Sequence, residues 1–321
     1  MKAIVIDGYG GIDKLRLDER PDPAPGAGEI LIDVRAASVN PVDWKIRKGE
    51  LRIFLPLKFP WIPGSDVAGE VAAVGPGVTR FHPGDAVVGF AELKPGGGYA
   101  ERAVVKETAA ALKASSLSFD EAATLPIAGC TALQALRDQG RLRQGGSALI
   151  HGGAGGVGHF AVQIGKAMGA TVAATCGPSN VDFVRSLGAD RVIDYSKEDF
   201  TRLPERYDVI LDAVAMSSFA ACRDRLNPGG AYVTTVPGPS ALFWTTVQSL
   251  AVLFGPARRA KFLWARPNEA DLAYMGRLAD DGQLRPSIAR TFPLDQAAEA
   301  HTLSEQGHVR GKIVLSVGSR Q

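Results

Sequence analysis

Hydrophobic positions in the first part of the chain come in short runs, some alternating with polar residues and some nearly continuous. Ile30-Leu31-Ile32-Asp33-Val34 and Val67-Ala68-Gly69-Glu70-Val71-Ala72-Ala73-Val74 are the clearest. Turn-forming clusters separate the runs, as at Pro21-Asp22-Pro23-Ala24-Pro25-Gly26 and Gly75-Pro76-Gly77. This punctuation predicts a compact β-rich domain. Past Ser118 the rhythm changes. A helical stretch, Asp120 to Gln139, leads into strands and helices separated by glycine-containing turns, the βαβ pattern of a parallel sheet. Strands are predicted at Ser147–His151, Thr171–Thr175, Arg191–Ile193, Tyr207–Leu211, Ala231–Val236 and Lys261–Ala265. Asn268 to Asp281 reads as a helix with Asn268 as its N-cap and Gly282 just beyond its end. Arg290 to Val317 returns to strand, helix and strand and is expected to rejoin the first domain. The fold class is therefore α/β, a doubly wound parallel sheet accompanied by a second, β-rich domain.

The strongest chemical signal lies where the new rhythm begins. The strand pattern ending Ala148-Leu149-Ile150-His151 runs into Gly152-Gly153-Ala154-Gly155-Gly156-Val157-Gly158 and then an apolar helix, His159 to Met168. Gly153, Gly155 and Gly158 have G-x-G-x-x-G spacing. The first glycine is expected to permit a tight turn, the second to let a pyrophosphate approach the backbone, and the third to let helix and strand pack closely. The helix amino terminus adds unpaired N–H groups and a positive dipole end. A second strand about 20 residues further on supplies the context that a dinucleotide fingerprint requires. That strand ends Thr175-Cys176-Gly177-Pro178-Ser179-Asn180, without the Asp or Glu that usually selects NAD by binding the ribose hydroxyls. Ser179, Asn180 and Tyr195 are candidates to hold a 2′-phosphate, with Lys197 as a counter-charge, and NADPH (NADP) is the expected cofactor. The cradle residues are Gly153, Ala154, Gly155, Gly156, Val157 and Gly158, with Thr175 at the adjoining strand end.

Composition narrows the partners. The 321 residues are 45% hydrophobic and 22% charged, enough apolar material for two cores without disulfides or metals as staples. A net charge of +2 from 36 basic and 34 acidic side chains gives no electrostatic footprint for nucleic acid or anionic lipid. A small-molecule partner is expected. The most apolar window, Ala241 to Gly255, is interrupted by polar residues and is shorter than the roughly 20 residues of a membrane-spanning helix. Three cysteines without metal-ligand or redox spacing, together with an amino terminus that lacks a signal-peptide pattern, predict a cytoplasmic protein.

The cradle resembles that of a known family, and so do Ser38-Val39-Asn40-Pro41-Val42-Asp43-Trp44-Lys45, Pro63-Gly64-Ser65-Asp66-Val67-Ala68-Gly69, Leu125-Pro126-Ile127-Ala128-Gly129-Cys130-Thr131-Ala132 and Gly311-Lys312-Ile313-Val314. In this order they resemble the quinone oxidoreductase branch of the medium-chain dehydrogenase/reductase superfamily, over essentially the whole chain. The resemblance implies a GroES-like catalytic domain, residues 1–122 completed by 268–321, with a Rossmann domain, 123–267, inserted. It also implies an active site in the cleft between them. Zinc-dependent relatives carry a Cys near the position of Asn40 and Gly-His-Glu where this chain has Gly64-Ser65-Asp66. Catalytic zinc needs about three protein ligands and an open position, a set that cannot be assembled here, so no metal is expected. Without such a Lewis acid, quinones and α,β-unsaturated carbonyls (enones and alkenals) are the suited acceptors. Their developing charge sits on a conjugated oxygen that hydrogen-bond donors can hold.

The resemblance further implies three catalytic positions. Asn40 would lie beside the nicotinamide and the substrate carbonyl. Lys45 would be a proton donor or enolate stabiliser, and Thr131 would touch the nicotinamide from its helix. Lys312 would stand near the cofactor edge. Each has a plain structural reading as well: a turn-forming Asn before Pro41, a solvated lysine, an ordinary helix residue and a strand-end surface lysine. Tyr99 matches a family pattern and is expected to pack structurally, while His82 and His151 read as turn and strand-end residues. Many NADP-using relatives carry Arg or Lys where this chain has Ser179, which predicts a smaller NADPH margin. The stretch Ser240 to Trp264, with Phe243, Trp244, Phe254, Phe262 and Trp264, is expected to cover the substrate cleft or form a dimer contact, the assembly being a homodimer. Two other readings stay open. One is a trans-acting enoyl thioester reductase of a biosynthetic pathway; the other, of a different class, is an NADP-binding protein with little catalysis.

Overall fold

The computed structural model describes residues 1–235 and 258–318. The window Ala241 to Gly255, the end of the predicted strand at Val236, and Phe243, Trp244 and Phe254 lie outside the described residues. Two compact units emerge, Met1–Cys130 with Pro267–Gln321, and Thr131–Arg266.

The first unit is β-rich, as its short apolar runs predict. It contains β1 (Lys2–Val5), β2 (Arg16–Glu19), β3 (Glu29–Val39), helix α1 (Pro41–Lys48), β4 (Asp66–Val74), β5 (Ala86–Phe90), β6 (Arg102–Lys106) and β7 (Ala110–Leu112). The predicted helix from Asp120 to Gln139 is not continuous. It breaks into α2 (Phe119–Ala122) and α3 (Pro126–Gln134), followed by a wider turn over Ala135–Gln139. Pro126 explains the break, since a proline ring disfavours helical geometry at the preceding residue but is tolerated at the first turn of a new helix.

The second unit is built on β8 (Ser147–His151), α4 (Gly158–Ala167), β9 (Thr171–Cys176), α5 (Val181–Ser186), β10 (Arg191–Asp194), β11 (Tyr207–Asp212), α6 (Phe219–Cys222), β12 (Leu226–Thr234) and β13 (Arg259–Phe262). All its strands are parallel, in the order β10-β9-β8-β11-β12-β13. This is the doubly wound Rossmann order, reversing direction at β8, and a ligand site is expected outside the carboxyl ends at that reversal. Register places Thr175, His151 and Asp212 side by side along that edge. Apolar residues with almost no exposure, among them Leu149, Ile193, Ile210 and Tyr232, fill the sheet.

After β13 the chain returns to the first unit through α7 (Glu269–Asp280), β14 (Ile288–Pro293), α8 (Ala297–Gln306) and β15 (Lys312–Ser316). Asn268 caps α7 as expected, its side-chain oxygen accepting from the Asp271 amide at 3.1 Å. β15 pairs antiparallel with β3 and completes a seven-stranded sheet, β14-β15-β3-β4-β5-β7 with β6 also on β3. The core of this unit gathers Ile30, Ile32, Val67, Val87, Val105, Ile313 and Leu315 from five strands.

Candidate functional site

In the second unit the glycine-rich segment leaves β8 and enters α4, as its spacing predicts, but the work is shared differently among the glycines. The left-handed residue of the turn is Gly152, with φ +87°, rather than Gly153. Gly153 is needed for space, because a Cβ there would lie 2.8 Å from the Ala174 Cβ of β9. At Gly158 a Cβ would come within 2.0 Å of the Gly152 carbonyl oxygen, so only glycine lets the helix start this close to the strand. At Gly155 it would meet nothing nearer than that same oxygen at 3.5 Å. A Cβ at the middle glycine would therefore be tolerated, and packing within the chain does not by itself call for glycine there. Ala154, Gly156 and Val157 complete the loop.

The exit of β9 collects the other candidate cofactor residues. Pro178–Asn180 forms a single short turn, with Ser179 exposed and Asn180 half-buried. Tyr195, at the end of β10, packs against Gly177, where a Cβ would lie 2.8 Å from the phenol oxygen. Thr175 differs: it is fully buried, its hydroxyl accepting from the Gly152 amide at 3.1 Å and lying 2.7 Å from His151 Nδ1. It braces the loop from beneath. Asp182, the next acid along the chain, is 96% exposed and ion-paired to Arg185 at 2.7 Å. Asp194 stands opposite Cys176 in the β10–β9 register, where it accepts from Ser196 and pairs with Lys197 at 3.6 Å. The segment from Thr175 to Asn180 itself carries no carboxylate.

In the first unit, register assembles a polar cluster that no single segment announces. Ser38 pairs across β3 and β4 with Asp66, and one step beyond the Ile313–Val39 pair Lys312 comes opposite Asn40. All four are buried. Asn40 Nδ2 donates to Asp66 Oδ2 at 2.8 Å and makes a long contact to the Ser38 carbonyl at 3.4 Å. Lys312 Nζ donates to Asn40 Oδ1 at 2.5 Å and to the Val39 carbonyl at 3.2 Å, with Asp66 Oδ2 3.6 Å away. Asp66 also accepts from Ser38 Oγ at 2.6 Å and from the Ile127 amide at 2.8 Å. Burial pushes Lys312 down from its ordinary range, opposed by the charges of Asp66 and Asp43, and pushes Asp66 up, opposed chiefly by Lys312. Lys312 is thus no strand-end surface lysine.

A second chain of buried groups adjoins the first. Asp43 Oδ2 accepts from the Asn40 amide at 2.8 Å, which fixes the start of α1, and from the Tyr99 hydroxyl at 2.9 Å. Tyr99 is fully buried, and its oxygen lies 3.3 Å from His301 Nε2. Burial pushes the Asp43 carboxyl up to about 7 and the His301 imidazole down to about 3. The sequence flagged Tyr99 only as packing and passed over Asp43, Asp66, Ser38 and His301. The available signals were the Asn40-x-x-Asp43 spacing of a helix start and an acid beginning the apolar run Asp66-Val67-Ala68. Lys45, half-buried on α1, holds its ammonium 5.5 Å from the Trp44 ring centre. Thr131 is buried on α3 and belongs to the second unit.

Asp43 yields a stability prediction. Its folded value of about 7 exceeds the unfolded one, so the folded state binds the extra proton between about pH 4 and that value. Its contribution is fully present at the acid end and is lost as pH rises through the folded pKa. Asp43→Asn keeps an oxygen for the Asn40 and Tyr99 donors and abolishes the titration. Relative to the parent it should gain roughly 2 kcal/mol in unfolding free energy between about pH 5 and about pH 8. A difference between the two proteins that stays constant with pH in denaturant titrations would refute this.

Two family models match the chain, "Alcohol dehydrogenase GroES-like domain" over residues 26–115 and "Zinc-binding dehydrogenase" over 187–315. Among the described residues, no group of three or more His, Cys, Asp or Glu could hold a metal ion. The chloroplast envelope quinone oxidoreductase homolog of Arabidopsis thaliana is 38% identical over 98% of both chains. The NADPH-dependent alkenal/one oxidoreductase of the same plant's chloroplast is 34% identical, over 98% of this chain and 79% of its own. The structure of the quinone oxidoreductase from Coxiella burnetii superposes with a TM-score of 0.87 at 38% identity, covering 99% of each chain.

Proposed function

Because the chain belongs to the zinc-independent quinone oxidoreductase branch of the medium-chain dehydrogenase/reductase superfamily, we propose that it reduces quinones or α,β-unsaturated carbonyl compounds with NADPH. The observation that carries this reading is the glycine cradle at the reversal point of the parallel sheet, open at Gly155 and closed by backbone at Gly158. Open backbone at a helix start fits a pyrophosphate, so the residues present fit a dinucleotide. When bound, the nicotinamide supplies hydride, two electrons and a proton, to the electron-poor carbon.

The chain's residues then have separable tasks. The Gly153 and Gly155 amides are taken by the Thr175 and Gly152 carbonyls, so the remaining amides of the loop at the start of α4 hold the pyrophosphate, while Ser179, Asn180 and Tyr195 receive the 2′-phosphate. Preference for NADPH is supported by the lack of an acid from Thr175 to Asn180, by Asp182 being paired with Arg185, and by Asp194 being engaged with Ser196 and Lys197. As the C–H bond forms at the β-carbon of an enone, the alkene pair moves toward the carbonyl oxygen. Asn40 steadies the charge that appears there. The α-carbon is then protonated, by Lys45 or by water. Thr131 lies against the nicotinamide side of the site.

The proposed assembly is a homodimer. Its support is the free edge of the six-stranded sheet at β13, which pairs with β12 alone among the described strands and invites a second copy. All three cysteines are buried thiols, which fits a reducing compartment such as the cytoplasm. No described helix is long and apolar enough to cross a membrane.

Oxidation of NADPH in the presence of 1,2-naphthoquinone, acrolein or a crotonyl thioester tests the reading and separates it from a thioester reductase and from a cofactor-binding protein without turnover. Activity should also persist in a metal chelator, since the groups around Asn40 and Asp66 are bonded to Lys312 rather than set out as ligands. One tightly bound zinc per chain, with turnover lost on its removal, would contradict that expectation.

A further inference from the structure

The Asn40 carboxamide has one orientation open to it. A lysine can only donate and a carboxylate can only accept, so the oxygen must face Lys312 and the nitrogen must face Asp66. Asp66 accepts three hydrogen bonds, from Ser38, Asn40 and the Ile127 amide, a set that suits the ionised form. Lys312 directs two of its hydrogens to the Val39 and Asn40 oxygens, and its ammonium lies 3.6 Å from Asp66. A buried ion pair of this kind is weak as a stabilising device, since apolar residues of the same volume often do as well. It does hold a polar group placed between its two charges in one pose. Asn40 Nδ2 keeps a second hydrogen, met only by the Ser38 carbonyl at the long distance of 3.4 Å. It is the more weakly held of the two amide hydrogens.

We infer that Lys312 and Asp66 are the positioning residues of Asn40, the ammonium gripping the amide oxygen and the carboxylate the amide nitrogen, so that the loosely held N–H meets the oxygen on which the reaction places negative charge. The inference rests on the role proposed for Asn40. Both charges contribute. Lys312 draws electron density from the amide oxygen and makes the remaining N–H a better donor, and its positive charge, poorly screened at this depth, lowers the energy of the anion formed in the reduction. Asp66 keeps that ammonium protonated. The groups facing Lys312 are Asp66 at the start of β4 and Asp43 on α1, with Tyr99, His301 and Arg47 beyond Asp43.

Three variants test this: Lys312→Met, Asp66→Asn and the milder Ser38→Ala, which removes one hydrogen bond from Asp66 and leaves its charge. With NADPH and either acrolein or 1,2-naphthoquinone, Lys312→Met should lower kcat about tenfold or more while the NADPH dissociation constant moves less than about threefold. In Asp66→Asn the ammonium loses its counter-charge. The kcat profile should then gain a basic limb, falling as pH rises through a lysine pKa well below the ordinary ~10.4, which the parent does not show. Ser38→Ala should show a weaker form of the same limb and serves where Asp66→Asn does not fold. Parent-like kcat in Lys312→Met, or losses shared equally between kcat and cofactor affinity, would overturn the inference, and so would parent-like pH profiles in both Asp66→Asn and Ser38→Ala. If the parent itself reduces none of these substrates, the functional reading falls. The pair is then judged on unfolding, where the double variant should be less destabilised than the two singles combined by about tenfold in the equilibrium constant, and additive losses overturn the clamp.

Discussion

Asn40→Ala should lower kcat for quinone or enone reduction by about a hundredfold, the usual loss when a donor aimed at developing charge is removed, and should change the NADPH dissociation constant little. The structure makes the reason more specific than a missing donor. Among the described residues Asn40 alone has its side chain hydrogen-bonded to both Lys312 and Asp66, so alanine removes the donor and the bridge between two buried charges. The backbone N–H that holds Asp43, and with it the start of α1, survives the substitution. Some loss of thermal stability accompanies the kinetic loss, because Lys312 keeps only the Val39 carbonyl and a more distant carboxylate. Separate measurement of kcat, of cofactor binding and of unfolding tells these apart. Unchanged turnover on every acceptor that the parent reduces would remove Asn40 from the mechanism.

Ser179→Arg should tighten NADPH by roughly tenfold to a hundredfold and leave NADH nearly untouched, the range expected for one charge-assisted hydrogen bond to a phosphate. Ser179 is exposed in the short turn that follows β9, so an arginine fits without disturbing the core. The carboxylate three residues on, Asp182, is already paired with Arg185, which limits its competition for the new guanidinium. The parent is expected to prefer NADPH by a smaller margin than its arginine variant, since at the proposed site hydroxyl, amide and backbone donors would hold the phosphate without a charged fork. The ratio of kcat/KM for the two cofactors decides the matter. A parent that prefers NADH, or a variant with the parental ratio, would move the phosphate away from this strand end.

The cofactor half of this protein is local in sequence, and so it is legible. Gly153, Gly155 and Gly158 stand within one turn and its helix, and their spacing fixes strand, loop and helix together. Even there the left-handed residue is Gly152, because spacing shows where glycines are needed without dividing the tasks among them. The broken helix between Phe119 and Gln134 shows a local signal overlooked, since Pro126 marks the break in plain view. The first unit is different. Lys312 reaches Asn40 across 272 residues, and Asp66 reaches Ser38 through the pairing of two strands. Periodicity says that β3 and β15 exist but not that their register sets an ammonium opposite an amide. The chain of Asp43, Tyr99 and His301 is hidden for the same reason. Each residue has an ordinary structural reading alone, and only burial without solvent makes their pairing necessary.

The proposed activity joins a nicotinamide cradle to chemistry on an activated double bond or quinone. Its most direct test is steady-state oxidation of NADPH by the purified protein with 1,2-naphthoquinone or acrolein as acceptor, run beside the Asn40→Ala variant. The account predicts acceptor-dependent turnover that is greater with NADPH than with NADH and is lost in the variant although the variant still binds NADPH. Tight NADPH binding by the parent with no acceptor-dependent oxidation, or equal turnover by parent and variant, would contradict it.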